Sequence, residues 1–155
     1  MLIMKNNWQL KSNVFITVRR RGVVVERFHR HNLITNAGIA LLRDSILGDN
    51  QFVIERVAFG DGSTAPDVSD TRLVNELLRV DIFRRQVFNS NTALTTAYIE
   101  PSLGNDFKIE EVGWFAGGAT DAPNTGSMIS RILYSHQKTN LESIQIDRFD
   151  TFASV

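Results

Sequence analysis

The stretch that decides the fold is Val14-Phe15-Ile16-Thr17-Val18-Arg19-Arg20-Arg21-Gly22-Val23-Val24-Val25-Glu26-Arg27-Phe28. Its two ends, residues 14–18 and 23–28, are β-branched and aromatic, and an arginine-rich turn ending at Gly22 separates them. This composition predicts two antiparallel strands joined in a hairpin. In the first strand the aliphatic residues alternate with other residues, which indicates one apolar face.

The rest of the chain continues this pattern of short strands and turns. Further strands are predicted at residues 54–59, 79–88, 92–99, 107–116, 128–137 and 143–152. Short strands with few helices favour a mainly β protein, specifically an antiparallel β-sandwich with an extended N-terminal arm or hairpin. We expect an arm over residues 1–12 and a single sandwich-like domain over residues 13–155.

A first short α-helix is predicted over residues 36–47. Thr35 or Asn36 can cap its start, and Gly48 suits its end, because a glycine readily takes the left-handed backbone that stops a helix. One helical stripe carries its apolar side chains, namely Ile39, Leu42 and Ile46.

A second short α-helix is predicted over residues 71–78. Asp70 is suited to cap it, since its carboxylate can accept a backbone N–H of the first turn. Leu73, Val74 and Leu77 would then face inward.

Two of the predicted strands do not alternate regularly. Val112 and Trp114 fall out of phase with the apolar residues at the start of their strand, and Phe149 and Phe152 break the pattern set by Ile144 and Ile146. Bulges near residues 110–111 and 147–148 would restore one buried face. Alternatively, both faces are covered, the second by another chain.

Composition excludes several classes of protein. The chain has 155 residues, of which 43% are hydrophobic and 22% charged, so it is long and apolar enough for one folded domain. Its net charge is zero, which argues against a dedicated nucleic-acid binder. Without a long apolar segment or a signal peptide, neither a membrane protein nor a secreted one is expected.

The zero net charge conceals an asymmetry along the chain. Residues 1–31 hold seven basic side chains and one acidic side chain, a net charge of +6. The remaining residues carry ten basic and 16 acidic side chains, a net charge of −6. Such an asymmetry indicates a charged partner surface.

No motif indicates catalysis, a cofactor or a metal. The chain has no cysteine, no phosphate-binding glycine loop and no nucleophile elbow. Glu110 and Glu111 are adjacent in a strand and should point to opposite faces, which is poor geometry for a shared acid–base task. We therefore expect no enzymatic activity and no cofactor.

Two groups of residues have a spacing that some metal sites use. His29 and His31 lie on one face of an extended segment, but no third ligand is near them in the sequence. Asp61, Asp67 and Asp70 lie in one glycine-rich loop, although their spacing does not match an EF-hand. Polar strand ends, a turn and a helix cap explain these residues without a metal.

The arginine triplet is the most distinctive chemical feature. It can be a solvated hairpin tip, a site for an acidic protein surface, or a site for a nucleic-acid backbone. Because outward-facing apolar residues of strand 128–137 also suggest a second covered face, the predicted partner interface comprises Arg19, Arg20, Arg21, Arg27, Arg30, Ile129 and Leu133.

Several segments resemble small structural proteins of tailed bacteriophages. They are residues 31–38, 57–66, 69–73, 109–115 and 146–152. In their order and spacing they are similar to segments of those proteins, and together they cover roughly residues 23–152. The basic start of the chain, residues 1–21, departs from the common core and leaves the docking partner open.

These segments also hold the residues predicted to fix the fold, which are Asn32, Asn36, Gly38, Gly60, Gly62, Pro66, Gly113 and Trp114. The two asparagines can bond nearby backbone groups at the turn into the first helix. Gly60 and Gly62 permit positive φ angles at a sharp turn. Gly113 leaves room for a large ring to pack.

The resemblance implies a virion component made in the host cytoplasm, in the tail, baseplate or fibre-attachment region. We expect a homo-oligomer that assembles with other virion structural proteins and makes no direct contact with nucleic acid or membrane. A head or neck protein, such as a decoration protein or connector, is an alternative. A carbohydrate- or receptor-binding module is the alternative from another class.

Overall fold

A computed structural model of the chain describes residues 7–154, and its strands form one antiparallel sheet in the order β2-β1-β9-β6-β5-β4-β7-β8-β3. The elements are β1 (Trp8–Arg20), β2 (Val23–His31), β3 (Leu33–Ile34), α1 (Asn36–Leu47), β4 (Ile54–Gly60), β5 (Glu76–Asn89), β6 (Thr92–Ile99), β7 (Ile109–Ala116), β8 (Ser127–His136) and β9 (Glu142–Ser154). Of the predicted arm, residues 1–6 lie outside the described range, and residues 8–12 pair with β9.

The predicted hairpin is confirmed. β1 and β2 pair along their length and are joined by the two-residue turn Arg21-Gly22. Both turn residues have positive φ angles, 50° and 83°, as a tight hairpin turn requires.

Strand β5 links the two parts of the sheet. Residues 76–81 pair with β4, whereas residues 82–89 pair with β6. We call β2, β1, β9, β6 and residues 82–89 the front half-sheet, and residues 76–81 with β4, β7, β8 and β3 the back half-sheet. The inner faces of the two halves enclose the main core.

The sheet curls into a nearly closed cylinder, and side chains bridge the gap between β2 and β8. The rings of Phe28 and Tyr134 lie 5.0 Å apart. The Tyr134 hydroxyl donates to Glu26 at 3.0 Å, and burial and this carboxylate raise the pKa of Tyr134.

The predicted sandwich with two helices is wrong, since the described chain forms one continuous sheet and a single helix. Residues 71–75 are irregular, and β5 starts at Glu76, inside the predicted helix 71–78. The backbone N–H groups of Val74 and Asn75 donate to the Glu111 carboxylate, and Asp70 accepts from Arg131. These long-range contacts hold the segment as a loop and override its local helical pattern.

The helix over residues 36–47 is confirmed with its ends. Thr35 is the N-cap, and its hydroxyl accepts from the backbone N–H of Gly38 at 3.1 Å. Gly48 ends the helix with a φ of 78°.

The buried side of α1 differs from its apolar stripe. Gly38 and Leu41 are buried, whereas Ile39 and Ile46 are 59% and 78% exposed. A Cβ atom on Gly38 would lie 2.8 Å from the carbonyl oxygen of Ile129, so the glycine lets the helix backbone approach β8 closely. Close packing at a small residue thus decides which side of the helix faces inward.

One of the two expected bulges is present. The pairing of β7 with β8 shifts register between Ile109 and Glu111, as predicted. β9 pairs regularly with β1 and β6, so the bulge expected near residues 147–148 is wrong. Arg148 and Asp150 occupy the inner positions as a hydrogen-bonded pair, and Phe149 remains on the outer face.

The two outer faces of the sheet differ. Loop residues of the same chain cover the outer face of the back half-sheet, where a second apolar cluster comprises Ala58, Leu73, Phe115, Ala119 and Met128. The outer face of the back half-sheet is therefore covered by loops of this chain, and not by another chain as the alternative to the bulges supposed. We call the outer face of the front half-sheet the front face, and within residues 7–154 no loop covers it.

Candidate assembly surface

The front face carries a row of aromatic rings that come from four strands, β2, β1, β9 and β5. Its members, in spatial order, are His31, His29, Phe15, Phe149 and Phe88, and we call them the aromatic row. Successive ring centroids are 5.3, 4.4, 5.6 and 4.9 Å apart. These are contact distances for aromatic pairs, so the rings form one continuous aromatic strip.

Strand register places the row on one face. Phe15 lies directly opposite His29 in the β1–β2 pairing, and Asn13 lies opposite both His31 and Phe149. Phe15 is 41% exposed and Phe88 57% exposed. Phe15 stacks flat on His29 and meets Phe149 edge-on, so one face of the Phe15 ring is covered by His29.

A shallow pocket lies beside the row. It has a volume of about 230 Å³ and is lined by Phe83, Arg84, Thr96, Tyr98 and Gln145. Phe83 is 74% exposed and Tyr98 39% exposed, so the apolar surface extends from the row to this pocket.

The exposed charges of the front face are basic. Lys11, Arg27 and Arg84 are exposed there, opposite threonines of neighbouring strands. The acid on this face, Asp147, accepts hydrogen bonds from Thr96 at 2.7 Å and Gln145 at 2.8 Å. The face therefore combines exposed aromatic rings with positive charge.

The arginine triplet lies at the end of the front face. Arg19 donates to Gln145 at 3.0 Å, and Arg20 donates to Glu142 at 2.7 Å. Arg21 donates its backbone N–H to Leu141, while its side chain is exposed. Two of the three guanidinium groups thus bind this chain itself, and the third is open to a partner.

Glu142 joins this turn to the gap between β2 and β8. Nε2 of His136 lies 3.2 Å from Glu142, and Nδ1 of the same ring lies 3.0 Å from Glu26. Burial of Glu142 opposes ionisation, but hydrogen bonds from Arg20, the Thr139 backbone and His136 outweigh it and lower the pKa of Glu142.

Of the remaining predicted interface residues, Arg30, Ile129 and Leu133 lie apart from the aromatic row. Ile129 is fully buried beneath α1 and is not at a surface. Arg30 and Leu133 line a groove between β2 and β8, and the Arg30 guanidinium lies 5.0 Å from the Phe28 ring. Arg27 is the member of the predicted set that the structure brings onto the front face beside the aromatic row.

The predicted fold-fixing residues lie at close contacts between loops and strands. Asn32 donates to the Ser130 hydroxyl at 2.9 Å, and the Asn36 backbone N–H donates to Val68 at 2.7 Å. Pro66 lines the groove between β2 and β8. The Trp114 ring packs 5.5 Å from the buried guanidinium of Arg148.

Close packing, and not turn geometry, explains why glycine stands at positions 60, 62 and 113. Gly60 and Gly62 are not among the residues with positive φ, contrary to the expectation. A Cβ atom on Gly62 would lie 2.6 Å from the Glu111 carboxylate, and one on Gly113 would lie 2.9 Å from Leu73. These glycines let the loop over residues 61–75 lie against the back half-sheet.

Sequence reasoning missed the buried ion pair that fixes this loop. Glu111 is fully buried and accepts from Arg131 at 2.8 Å as well as from three backbone N–H groups, those of Gly62, Val74 and Asn75. Arg131 also donates to Asp70 at 3.0 Å and to the carbonyl of Thr64 at 2.8 Å. The bulge between Ile109 and Glu111 places Ile109 and Val112 in the main core and leaves Glu111 on the outer side of the sheet, against the loop over residues 61–75.

The aspartates of the loop each have a separate partner. Asp61 accepts from Asn75, Asp67 accepts from Ser69, and Asp70 accepts from Arg131. Within residues 7–154, no group of three or more acidic, histidine or cysteine side chains is arranged to hold a metal ion. In the same range, no helix is long and apolar enough to cross a membrane.

The family model described as phage tail-collar fibre protein, N-terminal, matches residues 29–122. This range runs from the end of β2 to the loop after β7 and includes α1 and Glu111, whereas Arg131, the partner of Glu111 in the buried ion pair, lies after it. No curated protein and no solved structure matches the chain.

Proposed function

We propose that this chain, which belongs to the family described as phage tail-collar fibre protein, N-terminal, is a non-enzymatic adaptor of the tail, baseplate or fibre-attachment region. Its family makes it a structural protein of a phage tail. It attaches to a neighbouring virion protein through the front face. The observation that carries this proposal is the exposure of the aromatic row among the described residues.

Both the apolar and the charged groups of the front face support a protein partner. Exposed aromatic residues surrounded by polar residues are typical of protein interfaces, where buried rings supply most of the binding energy. Arg27, Arg84 and the exposed Arg21 side chain favour an acidic neighbour and would speed its association. The partner is therefore an acidic, partly apolar surface of another virion protein.

A receptor-binding role would need ring faces that are free to stack on a sugar. In the aromatic row, Phe15 and His29 cover each other with nearly parallel rings, 12° apart, and Phe149 meets Phe15 and Phe88 edge-on. The arrangement favours a continuous apolar contact over separate sugar sites.

The test is incorporation of variants into phage particles. Phage carrying Phe15→Ser and Phe88→Ser should incorporate much less of the protein, measured by quantitative mass spectrometry of purified particles. Leu103→Ser is the matched control, because Leu103 is as exposed as Phe15, 41%, but lies in a turn away from the front face. Its incorporation should equal that of the wild type.

Charge variants test the nature of the partner. Arg27→Ser with Arg84→Ser should make incorporation weaker and more sensitive to salt, since exposed charges are screened within about 10 Å at 0.1 M salt. Normal incorporation of both the aromatic and the charge variants would refute the proposal. Specific binding of the purified protein to a glycan array, lost on Phe15→Ser, would favour the receptor-binding role instead.

A further inference from the structure

The groove between β2 and β8 has a strand edge on each side. Within residues 7–154, β2 ends the sheet on one side, since it pairs with β1 alone. On the other side, the short strand β3 pairs with β8 only at Ser130 and Arg131. Residues 132–136 of β8 therefore face β2 across the groove, and no strand of the described chain lies between them.

The backbone of β2 presents hydrogen-bonding groups to this groove. The N–H of Asn32 donates to the carbonyl of Ser12 in β1 at 2.9 Å. Backbone groups of an antiparallel pair point alternately toward the partner strand and away from it. In the observed register, the residues whose N–H and C=O groups point away from β1 are Arg27, His29 and His31.

The backbone of β8 presents such groups from the opposite side. The N–H of Thr35 donates to the carbonyl of Ile129 at 3.0 Å, and Leu33 lies opposite Arg131. By the same alternation, the next residue of β8 whose backbone points to this side is Leu133. A strand placed in the groove would thus find backbone partners on both walls.

Two pockets lie along the groove, one after the other. The first, of about 340 Å³, is lined in β8 by Leu133, Tyr134 and Ser135. The second, of about 290 Å³, is lined in β8 by Arg131, Ile132 and Leu133. The pockets are therefore offset by two residues of β8, about 7 Å along a strand. Side chains on one face of an extended peptide have this same spacing, so two alternate side chains fit the two pockets.

The lining of the pockets favours apolar side chains. Phe28 and Tyr134 line the first pocket, and their rings meet 5.0 Å apart on the core side of the groove. Leu33, Pro66 and Ile132 line the second. An occupant that buries two apolar side chains here would cover this surface.

The charge of the groove favours an acidic occupant. Arg30 lines both pockets and, within residues 7–154, packs on the Phe28 ring without forming an ion pair. The other charged groups of the groove have partners in the chain: Tyr134 and His136 for Glu26, Lys108 for Glu110, and Glu111 for Arg131. A guanidinium group binds a carboxylate in fixed, bidentate geometry. A second copy of β2 would instead bring its own Arg27 and Arg30, and like charges on facing strands are destabilising.

We propose that the groove between β2 and β8 binds an extended segment of another protein, which adds to the sheet as a strand. The segment carries a carboxylate for Arg30 and two apolar side chains at alternate positions for the two pockets. Backbone hydrogen bonds supply affinity in this kind of contact, and the pockets supply specificity. The proposal does not depend on attachment through the front face.

Selection from a library of random eight-residue peptides tests the chemistry of the segment. Peptides enriched on the purified chain should carry Asp or Glu and apolar residues at alternate positions. For a synthetic copy of an enriched peptide, Arg30→Gln should raise the dissociation constant about tenfold or more, measured by calorimetry. Arg27→Gln is the matched control, because Arg27 is an exposed arginine of the same strand whose side chain lies on the front face. It should leave the constant unchanged, and circular dichroism checks that both variants are folded.

Nuclear magnetic resonance and backbone methylation test strand addition. The bound peptide should shift the amide signals of Arg27, His29, His31 and Leu133 and slow their hydrogen exchange. Methylating the backbone nitrogen at each of the two central peptide residues in turn should weaken binding about tenfold in at least one case, because an N–H donor is lost. A peptide held by its side chains alone would tolerate both methylations.

Several results would overturn the proposal. They are a library without enriched peptides, binding that survives both methylations, and amide shifts confined to the front face. Self-association of the chain that Arg30→Gln abolishes would assign the groove to a second copy instead. Phe15→Ser with Phe88→Ser should leave peptide binding unchanged while reducing incorporation into particles, so this proposal and the front-face proposal fail separately.

Discussion

Replacing Glu111 by glutamine should destabilise the protein strongly. The Glu111 carboxylate is fully buried and accepts four hydrogen bonds, one from Arg131, which is itself 1% exposed. In Glu111→Gln the amide nitrogen would face a donor, and Arg131 would lose the buried charge that balances it. Breaking a buried ion pair by removing one partner costs about 3–5 kcal/mol.

The lower end of that range applies here, because Arg131 keeps its bond to Asp70 and to the carbonyl of Thr64. A loss of about 3 kcal/mol corresponds to a fall in Tm of about 6–12 °C for a chain of this size. Differential scanning calorimetry measures the fall. Trypsin should also cut faster after the exposed Arg72, since the loop over residues 61–75 loses its anchor.

Glu110→Gln is the matched control. Glu110 is the same residue type one position earlier in the chain, and its partner is Lys108, whose side chain is 52% exposed. The Tm and the rate of cleavage after Arg72 should stay at the wild-type values. Equal melting temperatures for Glu110→Gln and Glu111→Gln would refute the reasoning, because burial would then not distinguish the two carboxylates.

Two further predictions concern pH and metal. The pKa of Glu142 is held below its ordinary value of about 4.5, so its stabilising effect is complete above that pH and is lost as the pH falls through the lowered pKa. The difference in free energy of unfolding between the wild type and Glu142→Gln should therefore shrink in acid, measured by urea denaturation, whereas the exposed control Glu100→Gln should show no such trend. Adding EDTA should leave the Tm unchanged, because Asp61, Asp67 and Asp70 each have a protein partner; a large fall would show that their loop binds calcium.

Sequence patterns of a few neighbouring residues predicted the hairpin, the capped helix and one bulge correctly, because interactions between neighbouring residues determine these elements. The hairpin at Arg21-Gly22 and the helix from its cap at Thr35 to Gly48 follow from turn and cap chemistry within a few residues. The bulge near Glu111 also followed from a break in alternation along one strand. These features appear in the structure where the sequence predicts them.

The incorrect predictions arose where distant contacts override local preference. Residues 71–78 have a helical pattern, but the Glu111 carboxylate takes two of the backbone N–H groups and holds the segment as a loop. Similarly, Arg148 and Asp150 fill inner positions of β9 as a pair, so that strand needs no bulge. No local pattern reveals a partner that lies dozens of residues away.

The candidate surface was predicted only in part. Basic residues near the hairpin and the out-of-phase Phe149 were visible in the sequence. The pairing of Arg19 and Arg20 with residues of β9, and the burial of Ile129, were not. The aromatic row needs the register of five strands, β2, β1, β9, β6 and β5, which places Phe15, Phe149 and Phe88 together although they are far apart in the chain.

By itself the sequence determined a mainly β domain with a basic hairpin, one capped helix and no catalytic motif, because alternation, turns and caps are properties of neighbouring residues. Only the tertiary structure decided that the strands form one nearly closed sheet and that loops of this chain cover one outer face. It also decided which apolar residues stay exposed. The physical reason is that burial depends on which surfaces meet, and here a single glycine, Gly38, turns the helix stripe outward.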